Sequence, residues 1–184
     1  MSRITPVPWE DLDPEVRELI ETAQACKAIR NDTTVPRLWA LRPALAKAQL
    51  PIQTRYHDSN ILDERLLELV RLRIAALNDC RACNTARKSD AVSEEDIACL
   101  SSDDERFSES EQLALRFAEL FAVDHEGIDD DLMSRLGVHF SPAEIVELGM
   151  YCGLMLGSGR FAHVMRGWAD DEHPVVVPST SALT

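Results

Sequence analysis

The sequence predicts an all-α protein, a single-domain bundle of about seven to eight helices. Apolar residues recur at helical spacing along most of the chain. Helix-start signatures open segment after segment: a cap residue before Pro, or Ser with an acidic residue three positions on. No convincing alternating strand pattern interrupts them. The 184 residues suffice for one domain with a sizeable core and fall short of two ordinary ones.

Asp13-Pro14 reads as a cap followed by Pro at the first helical position, and Val16, Leu19, Ile20 and Ala23 then keep helical spacing. Pro36 opens a second segment with Leu38, Trp39 and Leu41, which Pro43 must end or kink. A helix from Pro43 to about Thr54 follows. Asp63 caps the next, with Leu66, Leu67, Val70, Ile74 and Leu77 as its apolar stripe. Glu64, Arg65, Arg71 and Arg73 occupy most of its remaining face.

Asn78-Asp79 interrupts that helix and offers a new N-cap for a short helix through Cys80, Cys83 and Arg87. Ser93 to Asp96 resembles a capping box with Asp in place of Glu, and Ser108 to Glu111 matches the box fully. The latter opens a helix carrying Leu113, Leu115, Phe117, Leu120 and Phe121. Asp129 to Leu136 is a short helix with Gly137 as its stop. Ser141-Pro142-Ala143-Glu144 combines cap, Pro and capping-box Glu, the clearest helix start in the sequence. Residues 1–34 then form an N-terminal helical extension, 35–172 a helical domain, and 173–184 an extended or disordered tail.

Gly149, Gly153 and Gly157 share one face of the last long helix, at a cost of roughly 1 kcal/mol each against Ala. Close approach of another helix backbone is the expected compensation. A faint duplication lays Glu68 on Glu147 with a shift of 147 − 68 = 79 positions, which brings His163 opposite Asn84.

Charge excludes some partners. Lys plus Arg is 19 and Asp plus Glu is 32, a formal net charge of −13. Phosphate backbones and anionic membrane surfaces attract Lys and Arg, so no nucleic acid and no membrane is expected. The N-terminal stretch lacks the apolar core of a signal peptide, and five cysteines (Cys26, Cys80, Cys83, Cys99, Cys152) fit a reducing, cytoplasmic compartment.

The chemistry concentrates at Cys80 and Cys83. A Cys-x-x-Cys pair in such a chain reads as redox-active or as half a metal site. Tetrahedral zinc wants two further ligands at regular spacing, and no second Cys-x-x-Cys or His pair is seen. Residues three apart on a helix have Cβ atoms roughly 5–6 Å apart, against about 3.8 Å in a disulfide. The pair closes only with local adjustment, easiest at a helix start, and such a bond is readily reduced. A free thiol titrates near about 8.5; helix-start N–H groups favour the anion at Cys80. Arg87, four residues after Cys83 and one turn along, faces that sulfur and favours its anion, and Arg81 adds a second positive charge.

The arrangement Glu68-x11-Cys80-x2-Cys83, within ELVRLRIAALNDCRAC, resembles the alkylhydroperoxidase (AhpD)-like branch of the carboxymuconolactone decarboxylase superfamily. SEEDIACL, SESEQLALRFAELF and FSPAEIVELGMYCGLMLGSGRFAHVMRGW carry the resemblance over about residues 35–168. It implies an all-α fold, homo-oligomers (dimer, trimer or hexamer), and a dithiol that reduces hydroperoxides. Cys83 would be the peroxidatic thiol, Cys80 the resolving one, and Glu68 part of a proton relay. An external dithiol would reset the enzyme, with no cofactor and no metal.

The family pattern has a histidine four residues after the second cysteine, where this chain has Arg87. Arginine stabilises a thiolate but cannot shuttle protons near neutral pH. His163 is the candidate substitute. The rival readings are a non-catalytic oligomeric domain that binds a partner or ligand, and a lactone decarboxylase, whose branch lacks the Cys-x-x-Cys. In the structural reading Glu68 simply pairs with Arg71, Arg87 or Arg166. Cys26, Cys99 and Cys152 read as core thiols. His57, His125, His139 and His173 read as surface residues, and the three tryptophans (Trp9, Trp39, Trp168) as packing anchors. Residues Ser101 to Glu105 read as a solvated loop.

Overall fold

The computed structural model describes residues 2–29 and 31–168. Among them it is all-helical, with nine α-helices, two short 3-10 turns and no strand. The tail expected from His173 lies outside the described residues. Contacts divide the chain into two compact units. One holds the residues up to Asn60 with the segment from Phe161; the other runs from Ile61 to Arg160. No helix among the described residues is long and apolar enough to cross a membrane.

In the first unit, α1 (Pro14–Ala25) starts as its sequence dictates, with the Asp13 carboxylate accepting from the N–H groups of Glu15 and Val16. Helix α2 (Thr34–Trp39) begins two residues before Pro36, because the Asp32 carboxylate accepts from the Thr34 N–H and hydroxyl at 2.9 and 2.6 Å. Pro36 then sits in the first turn, where its missing N–H costs nothing. Helix α3 (Pro43–Asp58) runs past Thr54 with Pro51 inside it. Leu12, Val16, Ile20, Ala40, Ala46 and Leu50 form this unit's core, with Trp9 and Trp39 packed against it. Trp39 also meets Phe161.

The second unit is built around α4 (Glu64–Leu77), which packs mainly against α7 (Glu109–Val123). Leu69, Leu72, Val92, Ile97, Phe107 and Leu115 make its core. The sequence places Arg71 on an outer face of α4, but the helix is buried on nearly every side and Arg71 is only 2% exposed. Arg65 joins both capping boxes to α4. It donates to Asp96, at the start of α6 (Glu94–Ala98), and to Glu111, at the start of α7. The Arg65 hydrogen bond, above all, holds the Asp96 carboxyl down to about 2. Ser102, expected in a solvated loop, is buried with its hydroxyl on Glu119.

Helix α8 (Asp130–His139) runs through Gly137 rather than stopping there, with Phe140 as its C-cap. Gly137 has no positive φ, so it provides no left-handed stop. Helix α9 (Pro142–Met165) opens on the reciprocal Ser141 and Glu144 bonds. The close backbone approach expected at its glycines is not found. A Cβ at Gly149 or Gly153 would meet only a phenylalanine ring edge at 3.9 Å, and one at Gly157 nothing within 4 Å. Crowding falls instead on Gly159, where a Cβ would meet the Asn78 amide. The duplication is not kept in the backbone either. Helix α4 ends and turns at Asn78, whereas α9 runs straight through the matching Gly157.

Candidate active site

The cysteine pair is placed by the way α4 ends. Asp79 takes φ = 48°, a left-handed conformation that Asp tolerates better than most residues. Its N–H donates to the Ala76 carbonyl and the Cys80 N–H to the Ala75 carbonyl, both at 3.1 Å. This crossed pair is a Schellman turn. Asn78, expected as an N-cap, is therefore the C-cap of α4, and Cys80 itself is the N-cap of α5 (Arg81–Thr85). The buried Asn78 amide donates to the Leu156 carbonyl and accepts from Arg160.

Cys80 and Cys83 are joined in a disulfide, with Cα atoms 5.2 Å apart. Cys80 has no exposed surface, whereas Cys83 is half-buried. The second cysteine is thus the one nearer solvent.

Glu68 lies one helical turn before Arg71 on α4, and both are buried. The Arg71 guanidinium donates to both carboxylate oxygens of Glu68 at 2.7 Å, a bidentate pair. Glu68 Oε1 also accepts from the Lys88 N–H at 3.0 Å. Arg71 spends its other donors on the carbonyls of Cys83 (2.7 Å) and Ala86 (2.8 Å). The pair therefore fastens the chain after Cys83 to α4. These three bonds leave one acceptor site on Glu68 Oε2.

Arg87 is placed differently from the expectation of an Arg facing the Cys83 sulfur. That expectation needs the helix to continue, but α5 ends at Thr85 and Ala86 is extended. Arg87 instead pairs with Glu94 and donates to the carbonyls of Asn84 and Ala86. Glu94, chiefly through its hydrogen bond, raises the Arg87 pKa, and Arg87 lowers that of Glu94. Two guanidiniums thus close the carbonyls that a helix end leaves open.

His163 is an exposed residue on the stretch of α9 that belongs to the first unit. Cys152 is buried, and burial pushes its thiol up to about 12; Cys26 and Cys99 are half-buried rather than core. Among the described residues no cluster of three or more His, Cys, Asp or Glu side chains is arranged to hold a metal ion. The sequence offers Arg71 as one of three partners for Glu68, beside Arg87 and Arg166. A signal for more was present: Arg71 stands four after Leu67 and three before Ile74, on the edge of the apolar stripe.

No family model matches the chain. The uncharacterized protein YnjA of Escherichia coli strain K12 is 32% identical over 110 residues, which is 56% of this chain and 60% of that protein's length. A crystal structure of a protein of unknown function from Agrobacterium tumefaciens, named as a candidate antioxidant defence protein AhpD, superposes with a TM-score of 0.62. Its identity is 26%, over 75% of this chain and 96% of that one. A peroxidase-related protein from Ralstonia eutropha JMP134, described as an alkylhydroperoxidase AhpD core, gives 0.71 at 18% identity over 92% and 93%. The chain has the AhpD-like superfamily fold.

Proposed function

We propose that this protein is a thiol-dependent hydroperoxide reductase, or a dithiol–disulfide oxidoreductase of the same chemistry, working in a reducing compartment. The observation that carries the reading is the Cys80–Cys83 disulfide, with Cys80 fully buried and Cys83 half-buried. The half-buried Cys83 thiolate attacks the terminal oxygen of a hydroperoxide. The O–O bond breaks, the alkoxide takes a proton and leaves as an alcohol, and Cys83 becomes a sulfenic acid. Cys80 then attacks that sulfur, the S–O bond breaks, and water leaves as the disulfide forms. An external dithiol reduces the disulfide and restores both thiols.

Glu68 is the candidate proton carrier for the leaving oxygens, and Arg87 leaves the relay without the histidine of the family pattern. Self-association belongs to the same proposal. Val146 and Met150 stand on α9 at 60% and 64% exposure, large apolar side chains one turn apart and open to water.

The test is turnover: consumption of an organic hydroperoxide supplied with a small dithiol. Loss of one hydroperoxide per dithiol oxidised, dependent on Cys83, supports the reading. Hydroperoxide that persists beside intact thiols contradicts it and leaves a binding role.

A further inference from the structure

Both cysteines are referenced to the same helix. Cys80 is fixed to α4 by its N–H on the Ala75 carbonyl, and Cys83 by its carbonyl on the Arg71 guanidinium. Helix α5, which connects them, has five residues and cannot hold its own shape in water. Its ordering therefore depends on what grips its ends. At the near end the Schellman turn does so. At the far end Arg71 takes the Cys83 and Ala86 carbonyls, and Glu68 balances the buried charge while also gripping the Lys88 N–H.

We propose that Arg71 is a positioning residue that holds Cys83 within bonding reach of Cys80 and so sets how completely the disulfide closes. The proposal rests on the redox reading of the cysteine pair. A gripped Cys83 presents its sulfur to Cys80 at high effective concentration. After the sulfenic acid forms at Cys83, the Cys80 thiolate attacks it, the S–O bond breaks, and the departing hydroxide takes a proton from solvent to leave as water. Without the grip that step slows, and a second hydroperoxide oxidises the waiting sulfenic acid to sulfinic acid.

The first measurement needs no hydroperoxide: the equilibrium between dithiol and disulfide in buffers of reduced and oxidised dithiothreitol. Arg71→Met lowers the equilibrium constant for disulfide formation about tenfold, the worth of a charge-assisted hydrogen bond. Arg71→Lys recovers part of that loss, because an ammonium still donates to a carbonyl. Arg71→Met leaves Glu68 buried without its counter-charge and can unfold the chain. The double variant Glu68→Gln, Arg71→Met removes both charges and keeps an acceptor for the Lys88 N–H. Its helix content by circular dichroism establishes that it folds. A merely structural Arg71 would alter melting temperature and leave this equilibrium where it was. A folded double variant with the wild-type equilibrium overturns the proposal.

A second measurement adds hydroperoxide together with dimedone, which traps sulfenic acid. More trapped Cys83 in Arg71→Lys, which keeps Glu68, than in wild type is expected, and equal trapping contradicts the proposal. If no variant and no wild-type protein reacts with hydroperoxide, yet the dithiothreitol equilibrium still shifts, the peroxidase reading fails and the positioning role stands.

Discussion

Arg71 and Glu68 meet inside the second unit through two 2.7 Å hydrogen bonds, with neither side chain more than 3% exposed. Breaking a buried pair by removing one partner costs about 3–5 kcal/mol, whereas replacing both costs far less. Glu68→Gln alone should therefore lower the melting temperature by about 10 °C, and Glu68→Gln with Arg71→Met by clearly less. Thermal melts of the two singles and the double check this. Additive losses would mean that the two side chains do not act as a unit.

The outer guanidinium is a weaker device. Arg87 and Glu94 form a pair in which the Glu94 side chain is 71% exposed. Such pairs contribute about 0.2–1 kcal/mol, and less at high salt. Arg87→Ala and Glu94→Ala should each cost little, and their double-mutant cycle should show coupling within that range at low salt that fades at 1 M. Coupling of several kcal/mol would place Arg87 in a role beyond closing the end of α5.

Acid should act through Asp96. Its carboxyl is held from the ordinary 3.8 down to about 2, first by Arg65 and then by the Ser93 N–H and hydroxyl, with burial opposing. A lowered pKa in the folded state gives stability that is complete above 3.8 and lost as pH falls toward 2. Between these values the stability gap between wild type and Asp96→Asn should shrink. Denaturant titrations at pH 5, 4, 3 and 2.5 check it, and a gap that stays constant contradicts the assignment.

Thiol labelling should separate the cysteines. With the disulfide reduced at pH 8, Cys83 is half-buried, while Cys152 is buried with its thiol pushed up to about 12. Only the thiolate alkylates readily. Iodoacetamide should modify Cys83 and leave Cys152 intact until the chain is unfolded, as peptide masses will record. Early modification of Cys152 would mean its part of α9 opens in solution.

Four element starts were legible because each is a local event. Asp13 with Pro14, Ser93 with Asp96, Ser108 with Glu111 and Ser141 with Glu144 cap their helices within four residues of sequence. What the sequence hid depends on tertiary burial. Arg71 reads as a surface cation until the second unit packs around α4 and leaves Glu68 and two carbonyls as its partners. Arg87 reads as one turn beyond Cys83 only while the helix is assumed to continue; the extended Ala86 turns it toward Glu94. The stop at Gly137 failed for a different reason: glycine ends a helix where it takes a positive φ, and Gly137 does not.

The exposed apolar pair on α9 makes a prediction about assembly. A charge at its centre should weaken self-association, since apolar contacts lose their driving force when a carboxylate must be desolvated. Light scattering should give a mass above one chain for wild type and a lower mass for Met150→Glu. A wild-type mass of a single chain at micromolar concentration contradicts this.

The central claim is that the two sulfurs exchange electrons with a hydroperoxide. Reduced protein is mixed with a slight excess of an organic hydroperoxide, quenched within seconds and weighed as peptides. The account predicts a Cys80–Cys83 disulfide in wild type, a sulfenic or sulfinic Cys83 in Cys80→Ser, and no oxidation in Cys83→Ser. Thiols that stay reduced in wild type at millimolar hydroperoxide would contradict it.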